Sequence, residues 1–232
     1  MCPAIIERNE RIVPMPFPFK AVIFDMDGVI VDTEKFYFDE LAVMSDELGL
    51  GITLEERKRQ VGMSHQDFQR SLQMWAARGG YGELTGDEAE DIYNRWAAGR
   101  PRPYAQLLNP GVRETVSALH DMGVRVALAS SSPLANIRDV LAACGLADMF
   151  DPIVSGEQFH QSKPDPEIYL HTLDVLGLPA EACCCIEDSV YGIAAGRAAG
   201  LTVIAKREER FGFSQEGADR IIDQVSDLLN VK

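Results

Sequence analysis

The sequence predicts an α/β fold in which a doubly wound, mostly parallel sheet carries an inserted helical module. Three observations lead there. Short apolar runs of strand length alternate with helix-length segments through the C-terminal half of the chain. The first such run is instead followed by a long stretch that reads as helix alone. The runs also end on acidic or hydroxyl residues, the position where open parallel sheets bind their ligands.

In chain order, Pro14-Met15-Pro16-Phe17-Pro18-Phe19 is expected to be an extended arm, because alternate prolines forbid a helix. Lys20-Ala21-Val22-Ile23-Phe24 reads as a buried parallel strand, and Asp25-Met26-Asp27-Gly28 as the turn that ends it. From Glu34 to Gly99 only helices are expected. Thr53-x-x-Glu56 and Thr85-x-x-Glu88 have the form of capping boxes, and Ser64 is placed to cap a helix running through Trp75. Arg100-Pro101-Arg102-Pro103 is a linker stiffened by its prolines.

Beyond the linker, Pro110-Gly111 opens a helix reaching about Met122, and Val124–Ala129 is a strand. Ser132-Pro133 starts the next helix and Gly145 ends it. Pro152–Val154 is a short strand, and the helix opened by Asp165-Pro166 stops at Gly177. Cys183–Ile186, Val190–Ala199 and Thr202–Ala205 then read as strand, helix and strand.

Composition narrows the function. The chain has 232 residues, 46% of them hydrophobic and 25% charged, and a formal net charge of −14. That balance excludes nucleic acid and membrane surfaces as partners, since both need a broad basic face. A small anionic substrate needs only a few local donors and is compatible with it. The five cysteines are odd in number and lack CxxC spacing, so neither a disulfide framework nor a zinc site is indicated. Cys183-Cys184-Cys185 reads as small residues of a buried strand. Charges at Glu7, Arg8, Glu10 and Arg11 break any leader-like apolar run, and no stretch is long and apolar enough to span a bilayer. A reducing, cytoplasmic setting and a monomer are the default expectations.

Four local signals converge on one sheet edge. Asp25 and Asp27, two apart in extended chain, face one side and form either a reactive carboxylate pair or a turn cap. A pair that close invites a divalent cation. Glu187-Asp188-Ser189 ends another strand and serves either as oxygen ligands suited to Mg²⁺ or as a helix cap. Lys163 lies in Ser162-Lys163-Pro164-Asp165-Pro166, where flanking prolines aim it, unless it is a solvated loop lysine. Ser130-Ser131-Ser132 is a phosphate cradle before a helix, or simply a capped turn.

The run Val22-Ile23-Phe24-Asp25-Met26-Asp27-Gly28-Val29-Ile30-Val31-Asp32-Thr33-Glu34 resembles the first motif of the haloacid dehalogenase-like superfamily in its phosphatase and phosphomutase form. Ser130, Lys163 and Glu187-Asp188 match its later motifs in order. The resemblance implies a Rossmann-like doubly wound parallel sheet core, residues 1–34 and 103–232, with a helical cap domain at 35–102. It implies Asp25 as the nucleophile that forms an aspartyl-phosphate and Asp27 as the acid/base. Mg²⁺ would be held by Asp25, the Asp27 carbonyl and Asp188, with Glu187 a ligand or close behind. Ser130, Ser131 and Lys163 would hold the phosphoryl oxygens of a small phosphate ester. Asp27 and the acidic pair argue against carbon–halogen cleavage.

The overall style resembles the β-phosphoglucomutase-like subfamily, which also holds sugar-phosphate phosphatases. Mutases of this type carry Gly-x-Ser-Arg in the cap for a second phosphate. Here the loop reads Gly62-Met63-Ser64-His65, and a neutral imidazole grips a phosphate dianion less well than guanidinium. A phosphatase is therefore favoured over the mutase, with His65 at the substrate's far end. Arg70 and Arg78 are further candidates to reach an anion, and Trp75 reads as a cap-core aromatic. A non-catalytic binding protein on the same fold is the remaining alternative, disfavoured because every motif position is filled.

Overall fold

The structure, a computed structural model, describes residues 17–232. Ala21–Phe24 (β1) is apolar at every position because it is covered on both faces, and all four residues are fully buried. Arg125–Ser130 (β2), Ile153–Ser155 (β3), Cys183–Glu187 (β4), Thr202–Lys206 (β5) and Arg220–Ile222 (β6) join it in one sheet of order β3-β2-β1-β4-β5-β6. Every pairing is parallel, with Val22 opposite Val126 on one side and Cys184 on the other. The strand order reverses between β1 and β4, so the crevice at their carboxyl ends is where this architecture binds ligands.

Alternation along the strands sorts the core into two layers. Val22, Phe24, Leu128, Cys184 and Ile186 pack on one face. Ala21, Ile23, Ala129, Cys183 and Cys185 pack on the other. The cysteines are the small buried residues expected of them, and the four described ones are free thiols. A Cβ at Gly196 would come within 2.6 Å of the Cys185 sulfur, so a small residue on each side lets helix and strand touch. Phe17 and Phe19 of the expected arm pack against the first layer, while Pro14–Pro16 and Cys2 lie outside the described residues.

Four helices follow β1: Thr33–Leu48 (α1), Leu54–Gln60 (α2), His65–Arg78 (α3) and Gly86–Ala97 (α4). Both capping boxes form at Thr53 and Thr85, and Ser64 caps α3. A separate apolar cluster, including Leu41, Met44, Leu72 and a fully buried Trp75, holds these helices together. Among the described residues α2 contributes nothing to it and has no buried residue of its own.

After the proline linker comes a short helix, Tyr104–Leu107 (α5). Val112–Asp121 (α6), Leu134–Ala143 (α7), Glu167–Leu176 (α8) and Val190–Ala198 (α9) then alternate with the strands. Expected boundaries shift by a residue or two. Ser132 is a correction: it does not cap α7, whose preceding residue is Pro133 with no side-chain cap. Its hydroxyl donates to Asp27 instead, 2.8 Å away. Among the described residues no helix is long and apolar enough to cross a membrane.

Candidate active site

β1 delivers Asp25 to the crevice through its last ladder bond, Asp25 N–H to Ile186 C=O at 3.0 Å. The chain then folds back tightly, with Gly28 N–H bonded to Val31 C=O at 2.7 Å. Gly28 has φ +82°, and a Cβ there would lie 1.8 Å from Asp188 Oδ2. Only glycine permits both the turn and the acidic neighbour. Asn109, returning from the linker, donates to the carbonyls of Gly28 (3.1 Å) and Val29 (2.8 Å) and pins the loop. The Asp27 carboxyl accepts from Thr33 (2.5 Å) and Ser132 (2.8 Å), which hold it to one side of Asp25.

From the other half of the sheet come Glu187 and Asp188, at the end of β4. Gly192 makes room for Glu187, since a Cβ there would stand 1.9 Å from its carboxylate. Lys163 is buried and donates to Asp25 (2.6 Å), Glu187 (2.6 Å) and the Ala129 carbonyl (3.1 Å). It is no solvated loop lysine. Tyr169 of α8 donates its hydroxyl to Glu187.

Charge is unbalanced here. Asp25, Glu187 and Asp188 place carboxylate oxygens within 4.8 Å of one another around a single lysine. Burial pushes the Asp25 carboxyl up to about 8, Lys163 opposing the rise and Glu187 and Asp27 adding to it. Burial likewise raises Asp27 and holds Asp188 far above the carboxylate range, with Glu34 the next cause for Asp188. Glu187 Oε2 is buried without a hydrogen-bond partner. An all-oxygen donor set with an orphaned carboxylate oxygen fits a hard divalent cation such as Mg²⁺.

The family model of the haloacid dehalogenase-like hydrolases matches residues 19–200. The chain is a haloacid dehalogenase-like hydrolase. Curated relatives of this hydrolase include the phosphorylated carbohydrates phosphatase of Thermotoga maritima, 32% identical over 91% of this chain and 97% of the relative. Hexitol phosphatase B of Escherichia coli K12 is 34% identical over 82% of this chain and 84% of its own. Among solved structures, a candidate β-phosphoglucomutase from Thermotoga maritima is 30% identical with a TM-score of 0.69, covering 91% of this chain and 97% of the other.

In this hydrolase a cavity of about 540 Å³ opens over the crevice and is closed above by α1 to α4. Asp25, Asp27, Lys163 and Asp188 line its floor together with Ser131. Ser130 is buried just behind them, its hydroxyl accepting from Ser132 N–H at 3.1 Å. Gly62-Met63-Ser64-His65 lines the roof, as the loop's place in the sequence implies. The Ser64 hydroxyl is engaged in capping, and His65 Nε2 sits 3.2 Å from a Glu90 carboxylate.

Arg70 and Arg78 do not line the cavity. They pair with Asp67 and Glu56 on the outer surface of the helices. The lining arginines are Arg57 and Arg102, which no motif singles out. Glu34 was also missed as a site residue. It accepts from Gly62 N–H at 3.0 Å, tying α1 to the roof loop, and burial raises its carboxyl to about 8.

Proposed function

We propose that this hydrolase is a Mg²⁺-dependent phosphatase of small phosphorylated metabolites, sugar phosphates, working through an aspartyl-phosphate on Asp25. The observation that carries the choice of water as acceptor is the pairing of His65 with Glu90. Where a mutase would clamp a second phosphate, the roof presents a carboxylate, and Arg102 nearby is already neutralised by Glu40 at 2.6 Å. The names of the relatives, two carbohydrate or hexitol phosphatases, support the same reading.

The residues divide the work as follows. Asp25 attacks phosphorus as the ester P–O bond breaks, and Asp27 gives its proton to the leaving oxygen. Burial, which raises the Asp27 carboxyl and so favours its protonated form, supports this role. Asp27 then takes a proton from water, which attacks the aspartyl-phosphate and frees Asp25 and phosphate. Lys163 and Ser131 offset the charge of the phosphoryl oxygens, and Ser130 steadies the Ser131–Ser132 turn. Residues 35–102 act as a cap over residues 1–34 and 103–232 and exclude bulk water. Asp25, Asp188 and the Asp27 carbonyl would hold Mg²⁺, with Glu187 as a ligand or directly behind. When bound, the ion supplies charge neutralisation at the transferring phosphoryl group.

β-Glucose 1-phosphate is expected to yield glucose and phosphate. Glucose 6-phosphate as the first product would establish the phosphomutase in place of the phosphatase. Activity is expected to vanish in EDTA. The metal-free protein should also lose thermal stability as pH rises from about 4 towards about 8, the range between an ordinary carboxyl and the raised Asp25 and Glu34. The sign follows from proton count, because the folded state holds protons there that the unfolded chain has released. A melting temperature that climbs over that range in EDTA would contradict it.

A further inference from the structure

Five buried side-chain polar atoms have no hydrogen-bond partner among the described residues, and two of them belong to one turn of one helix: Arg57 Nε and Gln60 Oε1 of α2. Residues three apart share a helix face, and both of these line the cavity. This helix adds nothing to the apolar cluster that holds its neighbours together. Its inward face is polar and turned to the cavity, an arrangement that packing does not explain.

The state of each group is fixed by its surroundings. The Arg57 guanidinium lies 4.7 Å from the centre of the Phe38 ring and donates to the Phe38 carbonyl at 3.4 Å. It has no carboxylate partner among the described residues, whereas Glu55 and Glu56 of the same helix pair with Lys58 and Arg78. Stacking holds the guanidinium in place without using up its donors. For Gln60, the Ser71 hydroxyl gives its one hydrogen to the Asp67 carbonyl at 3.0 Å, so it must accept from Gln60 Nε2 at 2.9 Å. That bond sets the amide orientation and leaves Oε1 as an acceptor.

We infer that Arg57 and Gln60 form a hydroxyl-reading pair that recognises the leaving group of the ester at its end remote from phosphorus. A guanidinium donor beside an amide acceptor matches a hydroxyl, or two neighbouring ones, which accept from the first and donate to the second. A second phosphate or a carboxylate would satisfy Arg57 but set an anion against the Gln60 oxygen. The pair therefore selects neutral polyhydroxylated esters over bisphosphates. This rests on the phosphatase reading for its chemistry and adds the residues that choose among substrates.

The test compares wild type with Arg57→Ala, Gln60→Leu and Gln60→Glu on sorbitol 6-phosphate and on p-nitrophenyl phosphate, whose leaving group has no free hydroxyl. The ratio of kcat/KM between the two esters should fall about tenfold or more in Arg57→Ala and Gln60→Leu, mainly through KM. Gln60→Glu sets a carboxylate beside Arg57 that takes up its donors, and should lower the ratio as Arg57→Ala does. An unmoved ratio in both Arg57→Ala and Gln60→Leu overturns the inference, as does a wild-type preference for fructose 1,6-bisphosphate over sorbitol 6-phosphate. Failure of the phosphatase reading would show differently, as wild type turning over neither ester. Calorimetric binding of sorbitol 6-phosphate then decides, with Kd expected to rise about tenfold in Arg57→Ala and an unchanged Kd overturning the pair.

Discussion

Asp25→Asn should lower turnover by roughly 10⁴- to 10⁶-fold, the range for removing a member of a covalent catalytic unit, while leaving a folded protein. The amide keeps the shape of the carboxyl at the end of β1 but carries neither its charge nor its nucleophilicity. Folding is expected to survive because Lys163 retains Glu187 at 2.6 Å and the Ala129 carbonyl at 3.1 Å. Loss of the pair to Lys163 is offset in part by relief of repulsion, since Glu187 and Asp27 both push the Asp25 carboxyl up. Phosphate release and thermal melting measure the two halves of this expectation. An acid-quenched phosphoenzyme should form in wild type and be missing from the variant. Turnover close to wild type would remove Asp25 from the role of nucleophile.

Lys163→Met is expected to be the most damaging single change to the fold of the site. The side chain is 5% exposed and stands against two carboxylates. Removing it leaves both buried without their cation, a loss of about 3–5 kcal/mol for this class of change. Lys163 lowers the Asp25 carboxyl against the rise due to burial, so the variant's Asp25 should climb further. A carboxyl raised on folding stabilises at low pH and ceases to do so as pH rises through its folded value. The deficit should therefore shrink in acid and be largest above about pH 8, where Asp25 is otherwise ionised. Urea denaturation at two pH values reads it directly, and an unfolding free energy equal to wild type at both would sink the idea. Activity should be lost in parallel.

Much of the floor of the site was legible because its residues follow strands that announce themselves. β1 and β4 are uninterrupted apolar runs, and the acids that end them stand out by contrast. Two capping boxes were read correctly because the reciprocal bond needs only residues three apart. What was illegible depends on long-range packing. β6 is a three-residue edge strand with one buried position, too short to carry a pattern. Tyr169 meets Glu187 only because α8 crosses the sheet beside Lys163, and its spacing in sequence carries no trace of that. Ser132 looked like a cap because a serine before proline usually is one, yet Asp27 competes for its hydroxyl. In the roof, sequence offered Arg70 and Arg78, but surface carboxylates hold them outward. Arg57 and Gln60 sit in a charged helix that reads as solvated, and only the cavity on their side says otherwise.

The place where the helical segment enters the chain has a kinetic meaning. Pairing β1 with β2 brings Ala21 opposite Arg125, closing a loop about four times longer than a direct strand–helix–strand crossover needs. The cost of loop closure grows only as the logarithm of length, about 0.6 kcal/mol per doubling, so the detour raises the entropic cost of that step by roughly 1.2 kcal/mol. The helices of the segment make their contacts among themselves, close in sequence, and are expected to form early. The central strands wait for a distant partner and set the pace of folding. Substitutions on α2 should thus leave the refolding rate nearly untouched, while changes in β1 or β2 slow it.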